Sequence, residues 1–110
     1  MKKRIVFLSD CPIHRSMAIL GSKWKPVIIW ALRERKMRFG QIAVAIGTIS
    51  RKVLTTTLHQ LEHDGIVYRK TSAETAAQHI EYTLTEKGRD LLPLMLSLVA
   101  WDQKYVYSQN

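Results

Sequence analysis

The first third of the chain spaces its apolar residues with the 3.6-residue period of α-helices. Pro12 is suited to open a first helix, with Asp10 as a candidate cap, and Gly21 is suited to end it. A second helix is predicted over residues 24–35. It is apolar on much of its circumference, so it should lie centrally, and its basic end, residues 33–36, should be solvated.

Two shorter apolar stripes, separated by a glycine turn, predict a third and a fourth helix. Gly47 ends the third, Ser50 is a good N-cap for the fourth, and Asp64-Gly65 stops the fourth. The stripes consist of Phe39, Ile42, Ala43 and Ile46 in the third helix and of Leu54, Leu58 and Leu61 in the fourth.

The last third predicts a hairpin and one more helix. Residues 66–71 are rich in β-forming types, residues 79–84 alternate with period two, and the polar residues 72–78 join them. Thr85 caps an apolar last helix, in which Pro93 predicts a kink or a broken first turn. The predicted fold class is mainly α with a small β-hairpin, a winged helix-turn-helix in the order α-α-α-α-β-β-α.

A strong positive charge distinguishes this 110-residue chain. Its 17 Lys and Arg against 9 Asp and Glu give a net charge of +8, which favours polyanions, either nucleic acid or an anionic membrane. The length fits one domain, and 46% hydrophobic residues suffice for a core.

Cysteine usage and hydropathy predict a cytoplasmic protein with no membrane segment. Cys11 is the single cysteine, which excludes an intrachain disulfide and suits a reducing cytosol. No apolar run approaches the roughly 20 residues of a membrane span. We interpret residues 1–10 as a basic arm and not as a signal peptide, because the apolar run over residues 5–8 is too short.

The face of the fourth helix opposite its leucines is polar and basic, which indicates contact with DNA. In helix-turn-helix proteins this helix enters the major groove, where basic side chains bind phosphates or guanine and polar ones reach base edges. The candidate contacts are Ser50, Arg51, Lys52, Thr55, Thr56, His59 and Gln60. An ordinary solvated helix face is the alternative.

The predicted hairpin is suited to act as a wing. Arg69, Lys70 and His79 are candidate contacts to phosphates or to the minor groove. The tip, residues 72–78, carries no Lys or Arg and one Glu, so the alternative is a hairpin that only covers the core.

Catalytic and metal sites fit the sequence less well. Cys11 and His14 form a thiol–imidazole pair, but no third group is placed to orient it. Together with His59 and His63 they would make a zinc-type set. Those two histidines face outward on the fourth helix, far from Cys11 in the predicted fold, so neither a metal nor another cofactor is expected.

The aromatic residues favour packing over ligand binding. Tyr68 and Tyr82 are expected in the core or the hairpin, since no aromatic sheet for RNA is visible. Trp24, Trp30 and Trp101 lie in apolar segments and are expected in the core or an interface. Binding to a membrane surface would need a basic face that the last helix lacks.

Several motifs, in matching order and spacing, resemble the HxlR-type transcriptional regulators over residues 10–102. They are Cys11-Pro12, Gly21-Ser22-Lys23-Trp24-Lys25, Arg38-Phe39, Ile49-Ser50-Arg51-Lys52-Val53-Leu54-Thr55, Leu58, Leu61-Glu62-His63-Asp64-Gly65-Ile66-Val67 and Glu81-Tyr82-Thr83-Leu84-Thr85-Glu86-Lys87-Gly88-Arg89. The chain departs from the family where Ala76-Ala77 replaces a wing proline and where Gly47-Thr48 replaces Pro-Gly before Ile49.

The resemblance implies a winged-helix domain over residues 11–107 that forms a homodimer through its first and last helices. It implies binding to an inverted-repeat operator in double-stranded DNA of bacteria or archaea, with no enzymatic activity. Ser50, Arg51, Lys52, Thr55, Thr56 and His59 fall on the positions expected to face DNA.

The resemblance also implies Cys11 as a candidate redox sensor, with an oxidant or a small molecule as the effector. Some regulators with this Cys-Pro pattern use the cysteine to sense oxidants or electrophiles. A small residue that packs the start of the first helix is the alternative.

Overall fold

The computed structural model describes residues 10–72 and 79–107, which form helices around a small antiparallel sheet. The elements are α1 (Pro12–Leu20), α2 (Lys25–Ala31), β1 (Met37–Arg38), α3 (Phe39–Ile46), α4 (Arg51–His63), β2 (Val67–Ser72), β3 (His79–Leu84), α5 (Glu86–Arg89) and α6 (Leu92–Tyr107). Most of the predicted basic arm, residues 1–9, and most of the predicted wing tip, residues 73–78, lie outside the described residues.

The predicted helix-turn-helix is confirmed, together with the residues predicted to begin and end its helices. Gly47 and Gly65 end α3 and the α4 segment with φ angles of 84° and 75°, a left-handed region that glycine adopts without strain. Ser50 caps α4, because its Oγ accepts the Val53 N–H at 3.1 Å. These local signals suffice to place the two helices.

The first two helices differ from prediction at their ends, and the second begins at Lys25, with Trp24 as its N-cap. Cys11, not Asp10, is the N-cap of α1, and it makes no side-chain cap hydrogen bond. The second helix ends at Ala31, so its predicted extension to residue 35 is wrong. The Arg33 N–H bonds to the Trp30 carbonyl at 3.2 Å in a tightened last turn, and the chain then extends toward the sheet.

The sheet contains one strand that the hydropathy pattern does not predict. Its order is β1-β3-β2, with Met37 opposite Tyr82 and Arg38 opposite Glu81. Two residues are too few to show alternation, so β1 exists only because β3 offers it hydrogen-bonding partners. The hairpin of β2 and β3 itself was predicted and is present, with Val67 opposite Leu84.

The last helix is broken as Pro93 predicts. α5 ends at Arg89 and α6 begins at Leu92, which places Pro93 in the first turn of α6, where its missing N–H leaves no hydrogen bond unmade. Thr85 is the N-cap of α5, and its hydroxyl accepts the Gly88 N–H at 3.1 Å and donates to the Gly65 carbonyl at 2.6 Å. α5 is thereby fastened to the turn that follows α4.

The core lies between α2, α3, α4 and the inner face of the sheet. The buried apolar residues are Ile28, Ile29, Leu32, Ile42, Ile49, Leu54, Leu58, Leu61, Ile66, Val67, Tyr82, Leu84 and Met95. Leu54, Leu58 and Leu61 of α4 point inward as predicted, whereas α6 contributes Met95 alone to this buried set. None of the helices in the described parts of the chain is long and apolar enough to span a membrane.

Candidate nucleic-acid interface

The outer face of α4 presents one continuous polar and basic surface. It is turned away from the buried stripe of Leu54, Leu58 and Leu61. All seven predicted contacts on this helix are exposed: Ser50, Arg51, Lys52, Thr55, Thr56, His59 and Gln60. The fold thus brings the predicted residues of α4 together on a single accessible face.

The start of α4 brings together a hydroxyl group, a guanidinium and the N-terminus of a helix. The Ser50 oxygen accepts the Val53 N–H, which leaves the hydroxyl proton of Ser50 available for donation outward. The Arg51 guanidinium lies 5.1 Å from the centre of the Phe39 ring, and Phe39 is the first residue of α3. The two helices of the helix-turn-helix therefore meet under Arg51, beside the positive end of the α4 dipole.

The hydroxyl groups of the two exposed threonines of α4 donate hydrogen bonds to backbone carbonyls. Thr55 Oγ1 donates to the Arg51 carbonyl at 2.9 Å, and Thr56 Oγ1 donates to the Lys52 carbonyl at 3.0 Å. In this arrangement their oxygens can only accept. Such a surface suits the amino groups of adenine or cytosine, and a threonine methyl suits the methyl group of thymine.

The C-terminal half of α4 borders an open polar groove of about 470 Å³ that reaches the start of α2. His59 and Gln60 line it, and a half-buried ion pair lies in its wall, with Lys25 Nζ 3.3 Å from Asp64 Oδ2. Lys87 Nζ donates to the Asp64 carbonyl at 2.7 Å. The end of α4 is therefore bound to α2 and to α5, a role for Lys25 and Lys87 that hydropathy does not signal.

The three predicted wing residues do not share one side of the sheet. Lys70 and Arg69 are neighbours on β2 and so point to opposite faces. Arg69 lies across from the buried Tyr82, and its Nε is 3.9 Å from Glu62 Oε1 of α4. Lys70 is therefore on the outer face and Arg69 on the helix side.

His79 is held by Arg38, a residue of the Arg38-Phe39 motif that was not predicted to belong to the site. Its Nδ1 lies 3.3 Å from Nη1 of Arg38, the last residue of β1. The contact spans 41 positions in the chain. Since it depends on the unpredicted pairing of β1 with β3, no local pattern reveals it.

The structure separates the members of the zinc-type set considered above. Cys11 is half-buried at the start of α1, while His59 and His63 lie on the exposed face of α4. In the described parts of the chain, no cluster of three or more His, Cys, Asp or Glu side chains is arranged to hold a metal ion.

The aromatic residues divide between the core and the surface. Trp24 and Trp30 pack against the core and Tyr82 is buried within it, as expected. Trp101 on α6 is 65% exposed and Tyr68 on β2 is 46% exposed. Placement in the core is thus excluded for Trp101, which leaves an interface as its predicted role.

The whole arrangement matches one family of known proteins. A family model described as HxlR-like helix-turn-helix matches residues 19–110. The chain belongs to this family. It is accordingly a transcriptional regulator with a helix-turn-helix DNA-binding domain, and the resemblance noted in the motifs is confirmed.

Individual relatives of this HxlR-type regulator extend along nearly its full length. An HTH-type transcriptional regulator of Halalkalibacterium halodurans is 38% identical over 104 residues, which cover 94% of this chain and 91% of the relative. The reduced form of the transcriptional regulator YodB from Bacillus subtilis is 36% identical, with a TM-score of 0.78 over 86% of this chain and 93% of YodB. These relatives are named as transcriptional regulators and not as enzymes.

Two of the similar structures are also known in further chemical states. YodB has been solved after diamide treatment and with quinone bound. The redox regulator HypR in its oxidised form is 33% identical, with a TM-score of 0.77 over 86% of this chain and 96% of HypR, and a reduced form of HypR is known as well.

Proposed function

We propose that this HxlR-type regulator is a cytoplasmic homodimer that binds an inverted-repeat operator in double-stranded DNA. The observation that carries the proposal is the exposed polar and basic face of α4, directly opposite three buried leucines. A helix whose inner stripe is fixed in the core can present its outer face to the major groove without rearrangement. The net charge of +8 supplies the accompanying attraction to phosphates.

The contacts follow from what each side chain offers. Ser50, Arg51 and Lys52, at the start of α4, serve phosphates or guanine edges, while Thr55 and Thr56 accept from base amino groups. His59 and Gln60 reach base edges further along the groove, and Arg69, Lys70 and His79 add contacts from the wing side.

The homodimer is supported by apolar surface at both ends of the chain. The proposed domain covers residues 11–107, preceded by the basic arm of residues 1–10. On α1, Ile13 and Met17 are exposed. On α6 the exposed apolar residues are Leu94, Leu96, Leu98, Val99, Trp101, Tyr105 and Val106. A patch of this extent is avoided by monomers, and a twofold partner would cover it while pairing two recognition helices.

Lys52→Ala tests the phosphate contact. The association constant K falls as salt rises, and the slope of log K against log salt is negative. Removing one phosphate contact is expected to make this slope shallower by about one unit and to weaken binding about eightfold near 0.1 M salt. The operator is first selected from random duplexes, and affinity is then measured by fluorescence anisotropy over a salt series. Lys104→Ala removes the same charge from α6 and should leave the slope unchanged. If the wild-type protein binds no duplex at low salt, the proposed function fails.

We further propose that DNA binding responds to oxidation or alkylation of Cys11. The thiol lies partly exposed at the N-cap of α1, within the proposed dimer interface. The diamide-treated and quinone-bound forms of YodB and the oxidised form of HypR support chemistry of this class. With one cysteine per chain, an oxidant such as diamide can join two Cys11 thiols in a disulfide, taking up both hydrogens.

Cys11→Ser is the matched variant for this response. Treatment with diamide is expected to change the operator affinity of the wild-type protein by about 5- to 150-fold, the usual range of coupling between sites, because a bond at the interface alters the spacing of the two α4 helices. The affinity of Cys11→Ser should not change. A wild-type affinity that diamide leaves untouched would show that Cys11 only packs the helix start.

A further inference from the structure

The segment that joins the two strands of the wing carries no cation: residues 72–78 contain Glu74 and neither lysine nor arginine. A cation that contacts phosphates beside this segment must therefore come from a neighbouring element. Resting on the proposed function, we propose that Arg38 of β1 supplies this cation and contacts the DNA backbone on the wing side. β1 lies beside β3, the strand that begins with His79 directly after the tip.

Arg38 is exposed and is held in place by the wing itself. Its Nη1–H donates to Nδ1 of His79 across 3.3 Å, which fixes the guanidinium beside the first residue of β3. A guanidinium has five N–H donors in a planar fork, so one bond to His79 leaves the others for phosphate oxygens. The geometry combines a fixed position with unused donors.

The acidic side chain opposite Arg38 in the strand register forms an ion pair with another residue. Glu81 is the cross-strand partner of Arg38, but its Oε1 lies 3.3 Å from Lys36 Nζ. Across the described ranges 10–72 and 79–107, no carboxylate oxygen lies within ion-pair distance of the Arg38 guanidinium. The charge of Arg38 is therefore available to an external anion.

Arg38 lies next to the start of the helix-turn-helix. It is the N-cap of α3 and directly precedes Phe39, whose ring lies 5.1 Å from the guanidinium of Arg51, the first residue of α4. The backbone of Arg38 is therefore tied to the start of the helix-turn-helix, while its guanidinium lies beside His79 of the wing.

Arg33, five positions before Arg38, provides a matched comparison. Its Nη1 donates to the Trp30 carbonyl at 2.8 Å, and its guanidinium lies 4.3 Å from the centre of the Trp30 ring. Arg33 is thereby folded back on the end of α2. Neutralising either arginine lowers the net charge equally, but only Arg38 is predicted to touch DNA.

The test compares Arg38→Gln with Arg33→Gln on the selected operator. Glutamine retains an N–H donor at both sites, and both side chains are exposed, so thermal melting should be unchanged. Arg38→Gln is expected to make the slope of log K against log salt shallower by about one unit and to weaken binding about eightfold near 0.1 M salt. Arg33→Gln should change affinity by less than about twofold, since distant exposed charges are largely screened at this salt.

Two further readouts separate this inference from its rivals. In an ethylation-interference experiment, ethylation of particular phosphates should weaken binding of the wild-type protein but no longer weaken binding of Arg38→Gln. The bases preferred in a repeated selection from random duplexes should stay the same. Equal effects of the two variants, or a changed base preference, would overturn the inference and leave the proposed function standing. A wild-type protein that binds no duplex would overturn both.

Discussion

Replacing Gly88 by alanine is expected to lower the free energy of unfolding by about 3 kcal/mol. A Cβ at this buried position would lie 2.3 Å from the Ile66 carbonyl oxygen and 3.2 Å from Ile66 Cγ2. The backbone cannot retreat cheaply, because Thr85 holds the same turn through its N–H, 2.9 Å from the Ile66 carbonyl, and through its hydroxyl. Overpacking of this kind usually costs about 1–3 kcal/mol, and a clash with backbone belongs at the upper end.

Gly40→Ala is the control for that measurement. A Cβ at Gly40, in the first turn of α3, would meet nothing within 4 Å. Alanine there should raise stability by about 0.5 kcal/mol, because it restricts the unfolded chain and favours the helix. At one protein concentration, the melting temperature should fall by about 10–20 °C for Gly88→Ala and stay level or rise for Gly40→Ala. Equal melting temperatures for Gly88→Ala and the wild type would contradict the close approach of α5.

Trp101→Asp is expected to raise the dissociation constant of the proposed homodimer by at least about 30-fold. Trp101 is 65% exposed and lies next to the Tyr105 ring, with 5.6 Å between ring centres. Leu94, Leu98 and Tyr105 share its face of α6 at helical spacing. An aromatic anchor at an interface contributes about 2 kcal/mol or more, and a buried aspartate adds a desolvation penalty.

Sedimentation equilibrium measures this effect, with Gln103→Asp as the control. Gln103 is exposed on α6, two positions from Trp101 and so on another side of the helix, and its replacement adds the same negative charge without removing apolar surface. Trp101→Asp should also bind an isolated half-site as well as it binds the full inverted repeat. A wild-type protein that is monomeric at micromolar concentration, or a variant that dimerises equally well, would contradict the assignment of α6 to the interface.

Local signals were reliable wherever a single residue type determines the backbone. Ser50 and Thr85 cap their helices, Gly47 and Gly65 adopt positive φ angles, and Pro93 lies in the first turn of α6. Each depends on chemistry within about four positions of the chain, which is the range that a sequence pattern reports. The same holds for the leucine stripe of α4 and hence for the face that the helix turns outward.

The sequence pattern predicts the wrong element where residues pair with a segment far away in the chain. The basic run after Ala31 has good helix formers, but the chain leaves the helix so that Met37 and Arg38 can pair with β3. The exposure of Trp101 on α6 is not such a case, because it excludes the core and leaves the interface, the other part of its prediction. For residues 32–38, helix propensity is outweighed by contacts between parts of the chain far apart in sequence.

The sequence by itself determined the order of the helices, the hairpin, the inward stripe of α4 and therefore most of the candidate DNA face. Only the tertiary structure decided that Arg38 reaches His79, that Arg69 points toward Glu62 and that Lys25 joins α2 to the end of α4. The physical reason is range. Periodicity and capping act along one turn of helix or one strand, whereas these side-chain partners are brought together only when sheet and helices close around a common core.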